Sequence, residues 1–244
     1  PSETCENAAE LCVVCGHCVA VCPVTALDNR RTPISSQPEI NAAGITDPVL
    51  AAQFLRSRRS IRLYKKQPVP REKLLQLADI ARFAPTGSNS QGISYRVIES
   101  PATLHHITAE TVAWLEKQAS AGSPTGKAYA QYAQIYRQTG RDVILRDAPC
   151  VMLGLALKTF PRGRENTHFS FAYAELYAPS LGLGTCWAGL FQAAAFDGFE
   201  PLLKLLDLPE DKALTGALMV GIPEFGYYRL PDRNPLEITF DSDN

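Results

Sequence analysis

Cys12, Cys15, Cys18 and Cys22 fall as Cys-x2-Cys-x2-Cys-x3-Cys, and Pro23 follows directly. Thiolates bind soft metals, and so dense a run on one short segment suits an iron–sulfur cubane. Three thiolates on a tight loop grip three irons. The fourth cysteine, held just ahead of a proline, points away from that cage and serves another cluster. A cubane carries one electron at a time, so the run is read as an electron relay. Two plainer readings stand below it. Zinc takes its ligands as two separated pairs. Disulfide frameworks belong to secreted chains, and no signal-peptide pattern is read here.

The run resembles that of bacterial ferredoxins, whose fourth cysteine serves the second of two clusters. The sequence contains no other such run, begins at Pro1, and needs a fourth ligand beside Cys12, Cys15 and Cys18. The expectation is an upstream half carrying the matching run, and hence one or two 4Fe-4S clusters. Cys5 is the weaker alternative ligand, with six residues separating it from Cys12.

The elements that position any further chemistry are read from the rest of the chain. Its 244 residues allow one medium domain and a small module. A net charge of −1 gives no broad basic surface for nucleic acid. The longest apolar stretch, around Val151 to Leu157, is too short to span a bilayer. Five of the seven cysteines precede residue 23 and imply a reducing compartment, read as a bacterial or archaeal cytoplasm. Cys150 and Cys186 stand alone and are read as buried small residues.

Residues 1–28 are read as the cysteine module, 29–46 as a linker and 47–244 as the main domain. Asp47-Pro48 is a helix start, cap then first turn, and the helix runs to about Leu55. A second helix begins near Pro70, with Leu74, Leu77, Ala78 and Ala81 on a buried face. Ser94 to Glu99 reads as a strand. Residues 101–140 read as helical, with a break at Ala121-Gly122-Ser123-Pro124. Tyr129, Tyr132 and Tyr136 at helical spacing are read as half-buried packing, with a pocket wall as the alternative. A buried strand follows Pro149. A long helix then carries Phe169, Ala172, Tyr173 and Leu176 on one face. Leu214 to Ile222 is a further buried strand, and Leu236 to Phe240 alternates as an edge strand would. Strands and helices mix without regular alternation, which favours α+β.

Four segments of the main domain carry residues able to hold a ligand. Arg58-Arg59-Ser60-x-Arg62 offers guanidinium groups and a hydroxyl suited to phosphate, although arginines after a helix are commonly solvated surface. Pro85-Thr86-Gly87-Ser88-Asn89-Ser90-Gln91 is by itself a polar turn. In Gly182-Leu183-Gly184-Thr185-Cys186-Trp187-Ala188-Gly189 the glycines let backbone approach a flat ligand. Arg229-x3-Arg233-x-Pro235 lies near the C-terminus. No His/Asp/Cys constellation for proton transfer is present. His105, His106 and His168 are read as surface or packing residues.

In order and spacing, these four segments resemble the nitroreductase-like flavoprotein family, over roughly residues 47–244. The resemblance implies an α+β fold with a central, mostly antiparallel sheet and surrounding helices, and FMN held at a homodimer interface. It implies that Arg58, Arg59, Ser60 and Arg233 clamp the FMN phosphate and that Arg62 lies near the flavin N1/O2 edge. A cation there stabilises the reduced flavin, and arginine stays protonated. Pro85, Thr86, Gly87 and Asn89 would reach the ring from the partner subunit. A backbone N–H of Gly189 or Leu190 would face flavin N5, with Trp187 and Ala188 adjacent. Some members carry Pro-x-Glu-Gly where this chain has Trp187-Ala188-Gly189.

Ferredoxin-like modules ahead of such domains occur in anaerobes, and Cys15 to Pro23 looks like one. The resulting expectation is an FMN oxidoreductase with an iron–sulfur relay. Reduced ferredoxin or NAD(P)H would donate electrons, and nitroaromatics, quinones or similar conjugated small molecules would accept them. The alternative is a flavin and iron–sulfur module for electron transfer or redox sensing, without dedicated turnover.

Overall fold

The computed structural model describes residues 8–41, 44 and 47–241. Cys5 and part of the expected linker lie outside the described residues. Two one-turn helices open the described chain, α1 (Ala8–Leu11) and α2 (His17–Ala20). The main domain contains α3 (Pro48–Ser57), α4 (Arg71–Ala81), β1 (Ser94–Ile98), α5 (Pro101–Ser120) and α6 (Pro124–Thr139). It continues with β2 (Cys150–Leu157), α7 (Gly163–Tyr177), β3 (Gly184–Trp187), α8 (Gly189–Phe196), α9 (Glu200–Leu206) and β4 (Lys212–Gly221).

The four strands form one antiparallel sheet in the order β1-β2-β4-β3. This is the expected α+β class. The two central strands bury both faces, so their side chains alternate between two apolar cores. Met152 and Leu218 face one core, with Leu74 and Leu77 of α4 and Phe171 and Ala174 of α7. Val151, Leu153, Ala217 and Met219 face the other, with Ile107 and Leu115 of α5, Phe191 of α8 and Leu202 of α9.

Local signals account for most element ends. Asp47 caps α3 through Val49 N (2.7 Å) and Leu50 N (3.1 Å), with Pro48 in the first turn. The expected break between α5 and α6 is present, and Ser123 starts α6 by accepting from Gly126 N at 3.0 Å. The expected linker is not featureless. Ile34–Ser36 forms a 3-10 turn, and the Gln37 amide donates to Thr32 O at 2.9 Å.

The expected common face of α7 is present and turned outward, and one expectation requires correction. Phe169 and Tyr173 of α7 face outward, 53% and 40% exposed, while Asn166, Thr167, Ser170, Phe171 and Ala174 are buried. The reason lies in the sheet. A methyl group at Gly154 or Gly216 would stand 2.5 or 2.6 Å from Thr167 Cγ2, so bare backbone on β2 and β4 admits α7 by its small polar face. The Thr167 and Thr215 hydroxyls then pair at 2.7 Å. The correction is Leu236 to Phe240, which is not a strand: Leu236, Ile238 and Phe240 are all exposed. Alternation gives a segment one apolar side, but a strand also needs a free sheet edge to pair with.

Candidate active site

The backbone around Arg58 to Arg62 is tied to β3. Ile61 N donates to Thr185 O at 2.8 Å, and Ser60 bridges Thr185. Gly184 permits this approach, because a methyl group there would stand 2.5 Å from Ile61 Cγ1. Further along, Lys65 N donates to Ile222 O at 2.8 Å and Glu224 N to Leu63 O at 3.0 Å, which draws the chain after β4 to the same place. Arg59 Nη2 then donates to Arg229 O at 3.2 Å. The first, third and fourth candidate segments are thereby gathered into one region.

A cavity of about 720 Å³ results, lined by Arg56, Arg58, Arg59, Ser60, Arg62 and Arg233. Asp232 is the one carboxylate in its wall. Among the described residues, Arg58 alone of these arginines makes an ion pair, to Glu175 at 3.5 Å. Arg59 Nε is buried and has no hydrogen-bond partner among the described residues. A buried unpaired donor costs free energy, and an anion in this cavity would relieve it. The residues present therefore fit the phosphate of a nucleotide-like group such as FMN.

Arg62 also lines a second cavity, of about 710 Å³, whose wall includes Trp187, Gly189 and Leu190. Ala188 N is committed to Ala217 O at 3.0 Å. Gly189 and Leu190 open α8, whose first amides have no intrahelical acceptor, and no side chain caps them. Nothing lies within 4 Å of the position a Gly189 Cβ would take, so this backbone is open to approach. A flat ring lying here would meet backbone N–H groups of fixed direction.

The residue that sequence reasoning missed is Glu175. It is 6% exposed on α7 and lines neither cavity, but it bonds to Arg58 of the first and Trp187 of the second. Its carboxylate accepts from Trp187 Nε1 at 2.9 Å and from Thr185 Oγ1 at 3.5 Å, besides the ion pair to Arg58. Burial pushes its pKa above the ordinary carboxylate range, against the opposing pull of Arg58 and Trp187. A lone glutamate in an amphipathic helix gives no local signal of this role. It could be found only by noticing a glutamate on the face opposite Phe169 and Tyr173. His168, read as a surface or packing residue, is exposed, and its ring lies 5.0 Å from the Trp187 ring centre, tilted by 35°.

Pro85, Thr86, Gly87 and Asn89 line neither cavity of their own chain. The Asn89 amide instead donates to Val13 O (3.0 Å) and Val14 O (2.9 Å), in the cysteine run. Tyr129 and Tyr132 line the second cavity, whereas Tyr136 is buried. Cys150 and Cys186 are buried free thiols, as read, and burial pushes Cys150 up to about 12. Cys12, Cys15 and Cys18 are exposed and Cys22 is half-buried. Cys22 Sγ accepts from Ala26 N at 3.2 Å. Among the described residues, no three His, Cys, Asp or Glu side chains converge as a metal site. The arrangement of the run thus does not form a ligand set, although its spacing suits one. Among the described residues, no helix is long and apolar enough to cross a membrane.

Residues 55–222 match the Nitroreductase family, and the chain belongs to it. It is 25% identical over 169 residues to the iodotyrosine deiodinase of Thermotoga neapolitana, covering 69% of this chain and 86% of that protein. Among solved structures, the FMN-bound nitroreductase of Desulfitobacterium hafniense aligns with a TM-score of 0.62 at 23% identity, over 80% of this chain and all of that one. The FMN-bound nitroreductase of Bacteroides fragilis has the same score and coverage at 16% identity. An iodotyrosine deiodinase bound to FMN and 3-iodo-L-tyrosine aligns at 0.60 and 23% identity, over 78% of this chain and 98% of that one. These structural likenesses carry the fold.

Proposed function

We propose that this protein is an FMN-dependent oxidoreductase that reduces nitroaromatic, quinone or similar conjugated acceptors. The observation that carries the reading is the arginine cavity, drawn from residues as distant as Arg58 and Arg233 and joined through Arg62 to a second cavity. Bound FMN would supply reversible two-electron chemistry, with hydride leaving from N5. Arg58, Arg59, Ser60 and Arg233 would hold its phosphate, and Arg62 would sit where the two cavities meet. The Gly189 and Leu190 amides are the candidate donors toward N5, and they need no titratable residue. The family match and the FMN-bound neighbours support the same reading.

The functional unit we propose is a homodimer. Val49, Leu50, Phe54 and Leu55 of α3 are exposed, as are Phe169 and Tyr173 of α7 and Leu236, Ile238 and Phe240. So much exposed apolar surface on one chain marks an interaction site. A second copy would also bring the loop Pro85 to Asn89 within reach of the partner's cavities.

Electron entry through one or two 4Fe-4S clusters, charged by reduced ferredoxin or NAD(P)H in a cytoplasm, is the remaining part of the proposal. It rests on the spacing of Cys12, Cys15, Cys18 and Cys22 alone, since the thiols do not converge among the described residues. Ligand binding and local ordering are coupled in small metal modules. The test of the whole reading is an inventory of anaerobically purified protein. Bound FMN with acceptor turnover supports it. A colourless, flavin-free protein that cannot be reconstituted with FMN sinks it.

A further inference from the structure

The second cavity has a wall that the cofactor reading leaves unexplained. Opposite Trp187, Gly189 and Leu190 stand Thr125, Tyr129 and Tyr132 of α6, together with Arg146. The Tyr129 and Tyr132 rings meet edge to face, with centres 5.5 Å apart. Arg146 lies 5.8 Å from the Tyr132 ring centre, and its Nη2 is 3.5 Å from the Tyr132 hydroxyl. No acidic side chain lines this cavity. Among the described residues, Arg146 makes no ion pair.

The loop that presents Arg146 is specially built. Arg146 and Asp147 both take left-handed backbone conformations, with φ of 58° and 54°. Such angles are unfavourable for side chains other than glycine. The loop is held by Asp142, whose carboxylate accepts from Ile144 N (2.9 Å), Leu145 N (2.8 Å) and Asp147 N (3.1 Å). Thr108 Oγ1 donates to the same carboxylate at 3.1 Å. Buried Val143, Ile144 and Leu145 anchor the loop in the core. Asp142 is therefore occupied by backbone donors, Asp147 makes no ion pair with the neighbouring Arg146, and among the described residues the guanidinium is left at the cavity without a paired counter-charge. Arg62 lines both cavities, while Arg146 lines only this one.

We propose that Arg146 is a specificity-determining residue that binds the anionic substituent of an aromatic acceptor, whose ring packs against Tyr129 and Tyr132. The proposal rests on the FMN reading and narrows its acceptors to aromatic anions such as carboxylates. A guanidinium fork binds carboxylate in two parallel hydrogen bonds, and aromatic walls select a planar body. A neutral acceptor of the same shape would leave the charge unmet.

The test uses the flavin-loaded protein and two ligands that it cannot reduce, benzoate and its neutral isostere benzamide. Binding is followed by the change each produces in the flavin absorbance. Flavin content is measured first, so loss of the FMN reading registers separately from failure of this one. Benzoate is expected to bind about ten-fold or more tighter than benzamide, with an advantage that shrinks as salt is added. Arg146→Gln should abolish that advantage, and Arg146→Lys should keep part of it. Equal affinity of the two ligands in the unaltered protein would overturn the proposal, whatever the variants do. So would a benzoate preference that survives in Arg146→Gln.

Discussion

The arginine cavity and the cysteine run hold the two densest sets of reactive side chains in this molecule, and they are built in opposite ways. The cavity gathers residues from positions 56 to 62 and 233, and its geometry is imposed by backbone pairing to β3 and by one buried carboxylate. The run is contiguous, yet three of its thiols point to solvent and do not converge among the described residues. A site assembled from distant segments inherits the rigidity of the core between them. A site assembled from neighbours has little core beneath it: among the described residues of the run and the segment up to residue 41, only Val19 is buried. If it holds the cluster proposed above, binding and local order would be coupled.

That contrast predicts a separation of cofactors, and the variants that test it are ordered by size of effect. Replacing Cys12, Cys15 and Cys18 together by serine should remove the iron of the cluster they are proposed to hold, about four atoms per chain, while the flavin spectrum stays. Loss of flavin in the same variant would join what the comparison separates. Arg58→Ala with Arg233→Ala should do the reverse. Each lost charge-assisted bond is worth roughly 1.5–3 kcal/mol, so FMN affinity should fall by about a hundred-fold or more. A yellow protein after the double change would break the phosphate assignment.

The outward face of α7 separates core from surface. Phe169→Glu with Tyr173→Glu should shift the protein toward monomer by light scattering, because burying each ring contributes about 1.5–3 kcal/mol. An unchanged mass would place the dimer elsewhere. Glu175 sharpens the account of the cavity. Its carboxyl holds its proton more tightly folded than unfolded, since burial raises its pKa. The resulting stabilisation is full below the ordinary carboxylate value and is lost as pH rises through the raised folded one. Glu175→Gln should flatten the pH dependence of thermal unfolding in that window, while retaining an acceptor for Trp187. The smallest effect expected is that of Asn89→Ala, which removes the hydrogen bonds to Val13 and Val14. Proteolytic cleavage near the run should quicken a few-fold.

Much of this was legible in residue order. Asp47-Pro48, the Leu74 to Ala81 face and the break before Pro124 are local signals, decided within a turn or two of chain, and they became helix ends and buried stripes. The segments containing Arg58, Trp187 and Arg233 were legible as candidates because each carries its own chemistry. The burial of α7 was not legible. Phe169 and Tyr173 are the more apolar choice, yet Gly154 and Gly216 on two strands set how closely the helix approaches and so which face enters. Tyr129 and Tyr132 could not be told from Tyr136 by spacing, because only the position of the Arg146 loop separates cavity wall from core.

By itself the sequence determined the longer helices and the two central strands, the α+β class, the cysteine spacing and the arginines able to hold an anion. Those depend on residue type and short-range periodicity, which the chain carries wherever it goes. The tertiary structure alone decided that Glu175 links Arg58 to Trp187 and that Arg146 faces a cavity without a paired counter-charge among the described residues. Both facts depend on distances between elements far apart in sequence, and such distances exist only once the two cores have closed around the sheet.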